Sequence, residues 1–109
     1  MPDCIFCKIA RGEIQTDFLY EDEDVMAFND IHPVKPTHIL IVPKGHVEDI
    51  LALEDPLIKE KLLTVAQAMA ESAELDTKGF RIIINGGGAQ EVPHLHIHLM
   101  GPMGSKAKL

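Results

Sequence analysis

Between Val92 and Met100 the chain reads VPHLHIHLM, with a histidine at every second position, His94, His96 and His98, and an apolar residue between each pair. A period of two fits a β-strand and no helix, because successive side chains on a strand point to opposite faces. The alternation therefore sets Leu95, Ile97 and Leu99 against a core and turns three imidazoles to the other side. A chain built around such a segment needs a sheet, and half of its six histidines need partners or work on one face of it.

The rest of the sequence supplies that sheet. THILIVP is an apolar, β-branched run bounded by Pro36 and Pro43, and it reads as a central strand. Before it, Phe18–Glu21 and Val25–Asn29 form a hairpin about the acidic turn Asp22–Asp24. Cys4–Ala10 makes a short helical turn with Ile5, Phe6 and Ile9 on one side, ended by Gly12. The longest helix starts after Asp55, an N-cap candidate, with Pro56 at the first helical position. Ile58, Leu62, Val65, Ala66, Met69 and Ala73 then share a face, and the helix ends near Leu75. Gly79 opens FRIIINGGG, a strand running into glycines, and EVPHLHIHLMG is the last strand, stopped by Gly101 and Pro102. With no repeat or linker, residues 1–109 read as one domain. The order α-β-β-β-α-β-β gives an α+β fold: one antiparallel sheet with the long helix and the short N-terminal helix packed on it, gathered on one side.

Charge excludes several classes of function. Ten Lys and Arg against seventeen Asp and Glu give a net charge of −7. The basic residues are scattered, which opposes attachment to nucleic-acid backbones, since such complexes draw on clustered Lys and Arg. No apolar run approaches the ~20 residues that span a bilayer, so no membrane role is expected. The start, MPDCIFCKIARGE, has neither the charged-then-apolar order of a secretory signal nor the acid-poor character of a transit peptide, and the cytoplasm is the expected location. The lysines of SKAKL read as a solvated end.

A plain half-buried strand would carry Thr, Ser, Lys or Glu more often than three imidazoles. One metal ion does not take all three either: His94 and His98 stand ~13 Å apart at ~3.3 Å of rise per residue, whereas zinc–nitrogen bonds are ~2 Å. Nucleophilic catalysis explains both number and spacing, with a central imidazole attacking while its neighbour manages the proton near neutral pH. The preceding INGGGAQ, Ile84 to Gln90, suggests phosphate as the group attacked, because glycines let backbone N–H groups approach an anion. A plain turn between strands would use the same glycines. Neither the lysine-bearing loop of triphosphate folds nor the dinucleotide glycine fingerprint is present. Cys4 and Cys7, the only cysteines, open the chain instead of following a strand of a βαβ unit. They read as half of a zinc site in preference to a redox dithiol, with two reduced buried thiols as the alternative.

HLHIHLM resembles the signature of the histidine-triad (HIT) superfamily, three histidines alternating with apolar residues, and FNDIHPVKPTHILIVPKGH resembles the second hallmark of its Hint-like nucleotide-binding branch. CIFCKIARGEI and GFRIIINGGGAQEVP extend the likeness from Cys4 to Gly101. The resemblance implies a homodimeric purine nucleotide hydrolase or transferase. This is a nucleoside phosphoramidase that cleaves nucleoside 5′-phosphoramidates or aminoacyl-adenylates through a covalent nucleotidyl-histidine. It implies His96 as nucleophile, His98 as the group that hydrogen-bonds the phosphate or leaving group, and His38 as support from the neighbouring strand. Asp30 would accept from the ribose hydroxyls, and Ile5, Phe6, Ile9, Phe28, Asn29 and Ile31 would wall the base and sugar. Asn85, Gln90 and Glu91 would lie near the phosphate of a nucleotide such as AMP or GMP.

The same resemblance implies a structural Zn2+ on Cys4, Cys7, His46 and His94, closed and tetrahedral, with no catalytic metal required. That division frees His96 and His98 for chemistry. His32 receives no role and is expected to be solvated. Two positions depart from the family pattern: Ala89 precedes Gln90 where glycine or a larger residue is common, and Glu91 replaces a serine of the members nearest to eukaryotic ones. A carboxylate there opposes phosphate unless it turns away or meets the amine side of a substrate. The second expectation is a nucleotide-binding regulatory module with little turnover.

Overall fold

In a computed structural model that describes residues 4–108, five strands form one sheet: β1 Phe18–Glu21, β2 Val25–Asn29, β3 Thr37–Pro43, β4 Arg81–Ile84 and β5 Ile97–Gly101. Met1–Asp3 of the N-terminal stretch and Leu109 of the tail lie outside the described residues. The spatial order is β1-β2-β3-β5-β4, antiparallel throughout. The first three strands fall where the apolar runs put them. Asp22 builds the first turn, its Oδ1 accepting from the N–H groups of Asp24 at 2.7 Å and Val25 at 2.8 Å.

Helix α1 is Ile5–Ala10, and α2 is Pro56–Ser72. Asp55 caps α2 as the sequence predicts, accepting from Leu57 N–H at 2.9 Å. The helix ends short of Leu75 because Glu74 takes a left-handed φ of 59°. Leu75 itself folds back into the core.

The two helices lie on opposite faces, not together on one side. On one face α2 packs Leu62, Val65, Ala66 and Ala70 against Val25, Ala27, Ile39, Ile41, Ile97 and Leu99. On the other, α1 packs Phe6, Cys7 and Ile9 against Met26, Phe28, Leu40 and Val42. The cause lies in β2 and β3, whose apolar runs are buried almost without interruption. A strand apolar on both faces needs cover on both.

The last strand is also shorter than expected, with regular pairing from Ile97 instead of Glu91. Pro93 lacks a ladder donor, and the chain bends there, His94 N–H donating to the Val92 carbonyl at 2.8 Å. The alternation survives the bend. Leu95, Ile97 and Leu99 all enter the α2 core, while His94 and His96 turn to α1, their rings 5.6 and 5.1 Å from that of Phe6. At the far end of β5 the chain returns over Gly79, where a Cβ would meet the Gly104 carbonyl oxygen at 2.1 Å. The tail is tied down by the Arg81 guanidinium, which donates to the Lys108 carbonyl. Among the described residues no helix is long and apolar enough to cross a membrane.

Candidate active site

On the α1 face a cavity of about 790 Å³ opens beside His38, His96 and His98, within the size range of small-molecule sites. Its walls gather Ile5, Phe6, Ile9, Phe28, Asn29, Asp30 and Ile31 from α1, β2 and the proline loop, with Asn85 and Glu91 across from the other half of the chain. Ile31 is 81% exposed and so stands at the mouth, whereas Phe28 at 6% doubles as core. His32, expected in solvent, is exposed but stands on this rim, and its N–H donates to Asp30 Oδ1 at 2.9 Å. The turn-forming and pocket-lining readings of Asp30 therefore coexist.

Backbone groups determine which ring nitrogens carry protons, since a carbonyl only accepts and a backbone N–H only donates. His96 Nδ1 lies 2.7 Å from the His94 carbonyl, so Nδ1 is protonated and Nε2 keeps its lone pair. His38 Nδ1 accepts from Val34 N–H at 3.0 Å. A neutral His38 then carries its proton on Nε2 and donates to His98 Nδ1 at 2.9 Å, which leaves the His98 proton on Nε2. The His96 and His98 rings are 4.8 Å apart. A lone pair and an N–H thus stand side by side at one cavity, the pairing that attack with proton transfer requires.

Burial lowers the His98 pKa, and the neighbouring His96 and His38 push the same way, while the Asp30 and Glu91 carboxylates oppose them. Asp30 Oδ2 lies 3.4 Å from His38 Nε2. Asp30, His38 and His98 converge closely enough to suggest a cation site. The fit fails on the tautomer: Val34 N–H occupies His38 Nδ1, and Nε2 bears a proton, so His38 has no lone pair to offer. The cluster suits proton sharing.

Asn85 and Ala89 of INGGGAQ line the cavity, but the N–H groups of Gly87 and Gly88 are taken within the protein. Gly87 N–H donates to Asp49 Oδ2 at 2.9 Å, and Gly88 N–H to Gln90 Oε1 at 3.1 Å. Gln90 Nε2 donates to the Glu48 carbonyl at 3.0 Å, so this side chain braces the loop and does not line the cavity. Gly86 serves close packing, since a Cβ on it would stand 3.3 Å from that of Asp49, whereas Gly87 and Gly88 supply the positive φ of 64° and 93° that the turn takes.

A second cluster joins the chain start to the histidine segment. The ligating atoms of Cys4, Cys7, His46 and His94 all lie within 4.8 Å of one another. Cys4 Sγ is 3.2 Å from His94 Nδ1, Cys7 Sγ is 3.3 Å from His46 Nδ1, and the two Nδ1 atoms are 3.1 Å apart. Tetrahedral ligand edges of roughly 3.3–3.8 Å follow from zinc–sulfur bonds of ~2.3 Å and zinc–nitrogen bonds of ~2.0 Å, so this donor set fits that ion. His94 Nε2 donates to the Pro43 carbonyl at 2.8 Å, which leaves Nδ1 as the ligating lone pair and supplies the outer hydrogen bond that orients metal-bound imidazoles. Burial pushes His94 down to about 4, the neutral form a ligand needs. Burial raises the Cys7 thiol, and Cys4 adds to the effect.

The sequence reading missed Ile14–Asp17, Val34, Leu40 and Val92, which complete the cavity. Ile14, a lone apolar residue in the polar run RGEIQTD, was the available signal.

A family model of the HIT domain matches residues 11–104. The chain belongs to the HIT family. Within it, the purine nucleoside phosphoramidase of Escherichia coli strain K12 is 42% identical over 109 residues, spanning 94% of this chain and 91% of the relative. Protein HitA of Neisseria gonorrhoeae is 43% identical over 106 residues, spanning 93% and 97%. Among solved structures, a HIT family hydrolase from Clostridium thermocellum superposes with a TM-score of 0.88 at 38% identity, over 97% of both chains. A histidine triad protein from Clostridium difficile gives 0.86 at 44% identity, over 100% of this chain and 96% of that one.

Proposed function

We propose that this HIT protein is a hydrolase, a nucleoside phosphoramidase that releases an amine or an amino acid from purine nucleoside 5′-phosphoramidates or aminoacyl-adenylates. The observation that carries the reading is the 2.7 Å hydrogen bond from His96 Nδ1 to the His94 carbonyl, which leaves the Nε2 lone pair for attack. The name of the Escherichia coli relative supports the substrate class. Asp30 takes the ribose hydroxyls, and the Phe28–Ile31 wall takes the sugar and base.

On a phosphoramidate, His96 Nε2 forms a bond to the α-phosphorus as the bond to the leaving nitrogen breaks, its electron pair staying on that nitrogen; on an aminoacyl-adenylate the bond that breaks is to the carboxylate oxygen, which keeps the pair and leaves without a proton. The cationic phosphohistidine keeps Nδ1–H on the His94 carbonyl. The departing amine needs a proton, and a bound phosphate anion favours the imidazolium form of His98 that supplies it from Nε2. A second proton on His98 displaces the His38 Nε2–H, for which Asp30 Oδ2 at 3.4 Å is the alternative acceptor. Water then attacks phosphorus and gives a proton to His98, and the bonding pair returns to His96 Nε2 with release of the nucleoside monophosphate.

The reading includes a structural Zn2+ on Cys4, Cys7, His46 and His94, which would fix α1 to the histidine segment and supply no step of the reaction. It also includes a homodimer joined at the β4 edge, where Phe80, Ile82 and Ile84 are 45%, 39% and 38% exposed.

Intact-mass spectrometry after brief mixing with an adenosine 5′-phosphoramidate tests the enzyme reading. A nucleotidyl adduct is expected on the wild type and none on His96→Ala, with turnover abolished and AMP still bound. Equal, negligible turnover in both proteins, with nucleotide bound, would leave a binding module instead.

A further inference from the structure

We propose that Glu91 is a specificity-determining residue that selects substrates whose leaving group carries a positive charge; this rests on the phosphoramidase reading. The charge inventory of the cavity is the first observation. Asp17, Asp30 and Glu91 line it, with no Lys or Arg beside them. A nucleotide phosphate brings negative charge into a site whose answering groups are imidazoles, and the acidic side chains that line the rest of it, Asp17, Asp30 and Glu91, oppose further anionic groups on the substrate. A leaving group with an ammonium reverses that balance.

The second observation is that Glu91, though exposed and on a bend, is held from both sides. The residue before it is anchored twice, Gln90 Nε2 donating to the Glu48 carbonyl at 3.0 Å and Gln90 Oε1 accepting from Gly88 N–H at 3.1 Å. The residue after it, Val92, packs against the α1 core. Glu91 thus stands on the ridge between the cavity of His96 and a second one of about 650 Å³, whose lining adds the carboxylate of Glu48 to the apolar Val92 and Pro93. Among the described residues no Lys or Arg pairs with Glu91, so its charge is available to a ligand. It lines the same cavity as His96 and His98, and its carboxylate opposes the lowering of the His98 pKa. A carboxylate there weakens the binding of bare phosphate and becomes favourable when the substrate brings the counter-charge with the departing amine.

Three adenosine 5′-phosphoramidates of equal length, ending in an ammonium, a hydroxyl or a carboxylate, provide the test. The wild type is expected to rank them in that order by kcat/KM at low ionic strength, with ~10-fold between the two charged tails. In Glu91→Gln that ratio falls to about 2-fold, and salt compresses it in the wild type in the same way. An unchanged ratio in Glu91→Gln overturns the proposal. Calorimetric Kd values for phosphate esters bearing the same three tails give a parallel readout without turnover. If no phosphoramidate is cleaved, the hydrolase reading fails, while the Kd ratio of wild type to Glu91→Gln still decides the role of Glu91.

Discussion

His96 and His98 carry their protons on different nitrogens, and a single backbone group sets each. The His94 carbonyl fixes the first directly, and Val34 N–H fixes the second through His38. His38→Ala removes the donor that holds the His98 proton on Nε2, so His98 populates both tautomers and the useful fraction drops. We expect kcat to fall roughly 10²-fold with little change in KM, the adduct on His96 still forming but slowly, as steady-state kinetics and intact mass will report. An unchanged kcat would remove the relay. His96 and His98 were legible as a pair because a period of two puts them on one face whatever the rest of the chain does, whereas His38 came only from the family resemblance and Val34 from neither. Asp49 was not legible either, since its bond to Gly87 N–H at 2.9 Å joins segments far apart in sequence that no local pattern pairs. For the same reason the sequence left a phosphate cradle and a plain turn both open for the glycines, whereas Gly87 N–H closes on the Asp49 carboxylate and Gly88 N–H on the Gln90 amide oxygen.

Among the elements, β1, β2, β3 and the start of α2 coincide with their apolar runs, turns and cap, because those signals are local. The side on which α1 packs was misread because a six-residue helix carries too short a periodicity to choose a face. The choice is made by the second apolar face of β2 and β3, aided by the Cys4, Cys7, His46 and His94 cluster. That cluster ties α1 to the loop after β3 and to the residues before β5, so the proposed zinc acts as a staple between them. We expect about one zinc per chain by elemental analysis and near-complete loss in Cys4→Ser. A staple contributing about 2 kcal/mol lowers Tm by roughly 8–16 °C in a domain of this size when lost. Brief chelation should leave turnover intact while the fold persists. A metal-free wild type as stable as the loaded protein would remove the zinc proposal.

For the whole molecule, the exposed flank of the sheet is the remaining physical problem. Ile82 and Ile84 sit opposite Leu99 and Ile97 in the β4–β5 ladder, and those partners are 0% and 2% exposed under α2. The isoleucines belong to the same apolar surface but lie beyond the helix, and β4 ends the sheet. An edge strand with half-covered isoleucines and free backbone groups invites another strand. Antiparallel pairing of β4 with its counterpart in a second copy would satisfy the backbone of both edges and bury both isoleucine pairs, leaving each cavity on the α1 face. Light scattering should then give twice the 12.0 kDa chain mass at micromolar concentration. Ile84 is 38% exposed, so Ile84→Lys places a charge in each half of that seam and forfeits only about 0.6–1 kcal/mol of apolar burial per copy, and the dimer Kd should rise at least ~10-fold. The variant should run as a monomer and still form the His96 adduct, since no residue of β4 lines the cavity except Asn85 just beyond its end. A wild type that stays monomeric at the highest soluble concentration, or a dimer indifferent to Ile84→Lys, would move the interface elsewhere.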